Sequence, residues 1–119
     1  ITARDINIFD SRLFVHSYGV AIQSYVDEGI LRNGYYGLYV ENSTLSVDSS
    51  GAGIGINNGG VSFVDGTDVT INSTSIALTV CSGNITFDNI NNVDIRSNDG
   101  YGLSLNDSTL SVDFNSDNI

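Results

Sequence analysis

Lysine, methionine, proline and tryptophan are missing from this 119-residue chain, and cysteine and histidine occur once each. Each gap closes off a class of function. Without lysine, four arginines stand against 14 acidic residues, giving a formal net charge of −10. That balance removes the counterion release that drives nucleic-acid binding, so neither DNA nor RNA is expected as a partner. The same charge repels anionic lipid, and no apolar run reaches the roughly 18 residues that a membrane-spanning helix needs. No basic segment followed by an apolar one opens the chain, so no signal peptide is expected. The chain does not begin with Met, and we expect it to be cut from a longer, secreted precursor. One cysteine cannot form an internal disulfide. One histidine and one cysteine supply neither a zinc-ligand set nor a Ser/His/Asp constellation, and no catalytic residue is assigned.

What is present is alternation. Strong helix formers are scarce, and Asn, Asp, Ser, Thr and Gly separate short pieces in which every second residue is aliphatic, which predicts an all-β chain. The stretch from Ala52 to Asn72 holds three such pieces: Ile54/Ile56, Val61/Phe63 and Val69/Ile71. Taking every third piece along the chain links Ile6, Ile30, Ile54, Leu78 and Leu103, an internal repeat close to 24 residues long. Three short strands per repeat make one coil of a parallel β-helix, and about five coils fill residues 1–119 as a single domain.

On that spacing the first sheet carries Ile6/Ile8, Ile30, Ile54/Ile56, Leu78/Val80 and Leu103/Leu105. The second carries Leu13/Val15, Leu38/Val40, Val61/Phe63, Ile85/Phe87 and Leu110/Val112, and the third Val20/Ile22, Leu45/Val47, Val69/Ile71 and Val93/Ile95. All are expected to point inward, with the intervening residues outward. Arg32 breaks the pattern, so the strand at Ile30 is expected to be short or bulged. Corner columns follow from the same spacing: Ser24, Ser49, Ser73 and Ser97 after the third strand; Phe9, Asn33, Asn57, Cys81 and Asn106 after the first; and Asp5, Gly29, Gly53, Ala77 and Gly102 just before the first. Cys81 reads as a small side chain replacing one asparagine rung.

Aromatics gather near the first two coils, where Phe14, Tyr18, Tyr35, Tyr36 and Tyr39 are candidate ligand-binding residues. Their rings can stack on sugar faces while the tyrosine hydroxyls stay wet, and they equally suit a covered corner or a contact with a neighbouring domain. Glu41, Asp65, Asp68 and Asp88 gather at the corner after the second strand. Oxygen ligands spaced by coils make calcium a candidate there; the competing reading is a solvated acidic edge, since no calcium-loop motif is present. His16 reads as a hydrogen-bonding residue at a corner.

The repeats "YGLYVENSTLSVDSS", "AGIGINNGGVSFVDGTDVTIN", "GNITFDNINNVDIRSN" and "YGLSLNDSTLSVDF" resemble secreted bacterial right-handed parallel β-helices of the pectate-lyase-like superfamily. They are similar in style to carbohydrate-binding β-helix proteins and to cell-surface adhesins of anaerobic Gram-positive bacteria. The resemblance spans essentially the whole chain and includes no active-site motif. It implies an extracellular protein, secreted or attached to the cell surface, whose partner is a polysaccharide or a cell-surface glycan. Three expectations follow. The first is a non-catalytic module that binds carbohydrate or another surface; the second is a stalk or filament unit that self-associates end to end; the third is a fragment of a polysaccharide lyase or glycoside hydrolase. Absence of lysine counts against a lyase, which needs a base beside its substrate. Sheet edges at both ends lead us to expect a segment of a longer solenoid.

Overall fold

A computed structural model describes residues 1–3, 6–25, 36–57, 59–106 and 108–114. Fourteen strands and no helix occur among them. Sheet A orders β1 (Thr2–Ala3), β4 (Ile22–Tyr25), β7 (Ile54–Asn57), β10 (Leu78–Cys81) and β13 (Leu103–Asn106) side by side. Sheet B contains β2 (Ile6–Phe9), β5 (Tyr36–Glu41), β8 (Gly60–Val64), β11 (Ile85–Ile90) and β14 (Leu110–Phe114). Sheet C contains β3 (Arg12–Ser17), β6 (Thr44–Ser49), β9 (Asp68–Ser73) and β12 (Asn92–Ser97). Every pairing is parallel, and the chain visits the sheets in strict rotation. The protein is therefore a three-sided parallel β-helix. From β2 onward it completes four coils, each running through sheets B, C and A.

Alternation explains the core. Leu38/Val40, Val61/Phe63 and Ile85/Phe87 stack inward from sheet B, Leu45/Val47 and Val69/Ile71 from sheet C, and Ile54/Ile56 and Leu78/Val80 from sheet A, all buried. Like side chains meet like at each rung: the Phe63 and Phe87 rings stack 5.2 Å apart and 11° from parallel. Toward the ends, Leu13, Val15, Val93, Ile95, Leu103 and Leu105 are only half-buried against this core.

The first coil departs from the 24-residue spacing. Ile6 pairs with Leu38, Leu13 with Leu45, and Ile22 with Ile54, each a step of 32 residues. Ile6 and Ile8 therefore belong with the strand at Leu38, Leu13 and Val15 with the strand at Leu45, and Ile22 takes the place beside Ile54 that the sequence spacing gave to Ile30. Ile30, Arg32, Asn33 and Gly29 lie outside the described residues. The physical reason is that three strand spacings and four both keep alternating side chains in phase, so alternation does not distinguish one step from the other. Val20 is 45% exposed in the corner before β4, while Ala21, expected outward, is buried.

Corner chemistry follows the corrected register. The serine column is Ser17, Ser49, Ser73 and Ser97. Ser24 instead lies buried within β4, beside Ile56. Ser49 Oγ accepts the Gly51 N–H (3.1 Å) and donates to the Gly19 carbonyl one coil earlier (2.5 Å). Ser73 repeats this, accepting from Ser75 N–H (3.1 Å) and donating to Gly51 O (2.6 Å), and Ser97 donates to Ser75 O. Each hydroxyl thus tightens its own turn and ties it to the turn before. In sheet A the register aligns Tyr25, Asn57, Cys81 and Asn106, so Phe9 drops out of that column, and the small-residue column reads Ala21, Gly53, Ala77 and Gly102.

Three substitutions test the stacking. A Cβ at Gly83 would lie 1.9 Å from the Gly59 carbonyl oxygen, whereas one at Gly19 meets nothing within 4 Å. In urea denaturation Gly83→Ala should cost about 1–3 kcal/mol, and Gly19→Ala should stay within about 0.5 kcal/mol of the parent. Ser73→Ala should cost about 1 kcal/mol, because it removes the hydroxyl's bonds to the Gly51 carbonyl and the Ser75 N–H, which keep only each other at 3.2 Å.

Candidate functional site

The corner from sheet B to sheet C opens the same way in every coil, although it is one residue longer in the third and fourth. Asp10, Asn42, Asp65 and Asn89 each hold a left-handed backbone, with φ of 48°, 47°, 50° and 53°. Short Asx side chains tolerate that region because they bond their local backbone. The column alternates acid and amide: Asn42 Nδ2 donates to Asp10 Oδ1 (2.7 Å) and Asn89 Nδ2 to Asp65 Oδ1 (3.4 Å). One residue on, Ser43 Oγ accepts from Ser11 N–H (3.1 Å) and donates to Glu41 O (2.7 Å), while Thr67, two residues after Asp65, donates from Oγ1 to Val64 O (2.6 Å). Outer side chains are thereby fixed before any ligand arrives.

An open groove of about 290 Å³ runs over this corner, lined by Asp10, Ser11, Arg12, Asn42, Ser43, Thr44 and Gly66. Aromatic rings stand on both sides of it in sequence and in register. On the sheet B side, Phe9, half exposed, precedes Asp10, and its ring lies 5.6 Å from Tyr39 at an angle of 45°. Tyr39 O–H donates to Glu41 Oε1 at 3.2 Å. On the sheet C side, Phe14 is the next outward residue after Arg12 on β3 and is 70% exposed.

The aromatic candidates do not form one wall. Tyr39 lies on the outer face of sheet B with Asn7, Ser62, Thr86 and Ser111; Phe14 lies on sheet C with Ser46, Thr70 and Asp94. Tyr18 follows β3 at the opposite end of that strand, 85% exposed, its ring edge-on to His16 at 5.6 Å. Tyr36 opens β5, and Tyr35 lies outside the described residues. The candidate calcium ligands are likewise spread. Glu41 and Asp88 stand at equivalent strand ends with Val64 between them, Asp65 sits in the corner, and Asp68 lies across it on β9 between Thr44 and Asn92. Among the described residues no three His, Cys, Asp or Glu side chains group as a metal set. Sequence spacing puts Phe9 in a corner column and gives none of Phe9, Asp10, Ser11, Arg12 and Ser43 a place in a site. The signal for them is the recurrence of Asp-Ser, Asn-Ser and Asp-Gly-Thr after β2, β5 and β8, visible once the first coil is aligned at 32 residues.

Other polar groups are occupied elsewhere. His16 points outward from β3, with Nδ1 3.3 Å from Asp48 Oδ2 on the next strand, both exposed. Arg96 grips Asp94 through two bonds of 2.8 Å, and that hydrogen bond, then its charge, raises the guanidinium pKa above the usual value. Cys81 is a half-buried thiol between Asn57 and Asn106. No protein-family model, curated protein or solved structure matches the chain.

Proposed function

We propose that the protein is a non-catalytic, extracellular β-helix module that binds carbohydrate at the corner between sheets B and C. One observation carries this reading: an aromatic pair, half-exposed Phe9 and half-buried Tyr39, stands on sheet B next to a groove lined by carboxylate, amide, hydroxyl and guanidinium groups. A pyranose has an apolar C–H face and a rim of hydroxyls, so it needs both kinds of surface together. Rings supply the first by stacking. Asp10, Asn42, Ser11 and Thr44 supply the second. Because left-handed backbone and inter-coil bonds already hold Asp10 and Asn42, little side-chain freedom is lost on binding. The extracellular setting follows from the repeat resemblance.

Phe9→Ala and Tyr39→Ala should each weaken polysaccharide binding by about 0.5–1.5 kcal/mol, several-fold in Kd. Thr79→Ala on the outer face of sheet A should leave it unchanged. Affinity electrophoresis against a panel of neutral, acidic and basic polysaccharides reads the effect. Ring variants that bind like the parent would overturn the assignment.

A further inference from the structure

The charge pattern along the corner that holds this groove narrows the kind of sugar. In successive coils the pair of residues at the end of sheet B and the start of the corner reads Phe9-Asp10, Glu41-Asn42, Val64-Asp65 and Asp88-Asn89. Each rung presents one carboxylate, and its place alternates, so equivalent acids recur every second rung, about 9.6 Å apart. Asp10 and Asp65 are both exposed, and each is held by an amide of the following rung. Among the groove's lining residues Asp10 is the one carboxylate and Arg12 the one cation; Glu41, Asp65 and Asp88 continue the acidic row along the same corner outside that lining.

We propose that the groove takes a linear glycan carrying positive charge, a β-1,4-linked polymer of unacetylated amino sugar lying along the solenoid axis. The aromatic pair and the groove supply the platform; the carboxylates select among the sugars that could lie on it. In an extended β-1,4 ribbon successive sugars face opposite sides, so amines on one side recur every second sugar, a distance of the same size as two rungs. Ammonium groups then meet Asp10 and Asp65 while the rings rest on Phe9 and Tyr39. A uronate polymer in the same place meets like charge. This inference rests on the carbohydrate reading above.

Isothermal titration with a fully deacetylated glucosamine hexamer, its N-acetylated counterpart and a cellulose hexamer tests it. The deacetylated hexamer should bind about tenfold tighter than either neutral one, and the advantage should vanish in about 0.5 M salt. The double variant Asp10→Asn with Asp65→Asn keeps side-chain size and suits the same left-handed backbone, so it should fold and should lose about fivefold for the charged hexamer alone. Circular dichroism checks that fold. Equal binding of the neutral hexamers, dependent on Phe9 and Tyr39, would overturn the amino-sugar class and leave the carbohydrate reading standing. Failure of all three to bind would also overturn it, and the polysaccharide panel then decides the broader reading separately.

Discussion

Parallel pairing of each strand with its equivalent one coil away is the constraint on which everything else in this molecule depends. A strand four to six residues long gains few hydrogen bonds and little buried surface by itself. Stacked, it satisfies its backbone on both sides and sets its inward aliphatics against those of the next coil. Val69 and Ile71 between Leu45/Val47 and Val93/Ile95 show this in sheet C. Pairing also turns a one-dimensional repeat into columns, so a residue type chosen once per coil becomes a line on the surface.

Two of those lines have different work. Along one corner, serine hydroxyls relay hydrogen bonds from turn to turn, and their side chains face inward and are buried or half-buried. Along another, Asp and Asn hold the same left-handed turn while facing water, and they leave polar atoms in a fixed row beside Phe9 and Tyr39. Both lines tighten a turn. The second has its groups turned outward, and that is why it, and not the serine corner, offers a surface for recognition.

Much of this architecture was legible in the chain. Alternation located almost every strand, since inward Leu38/Val40 or Ile54/Ile56 cannot shift by one residue without exposing the core. It also placed three strands in each coil. What alternation could not settle was which strand begins the second coil, because strands recur at nearly even intervals. Ile30 satisfied the apolar pattern well enough to be taken for the neighbour of Ile54, and Ser24 satisfied the serine pattern in the wrong sheet. The site suffered the same displacement. On the 24-residue spacing Phe14 and Tyr39 share a face and Phe9 falls in the corner column after the first strand; in the observed register Phe9 stands beside Tyr39 and Phe14 moves to the adjoining side. Asp10 was hidden for that reason, since its meaning comes only from Asn42 above it.

The 32-residue step between the first and second coils carries a consequence of its own. All three sheets cross it without a break, which means that extra length between β4 and β5 is not felt by the columns on either side. What keeps the sheets in register is thus the pairing of β2, β3 and β4 with β5, β6 and β7 and not a fixed residue count, so coils of unequal length share one winding.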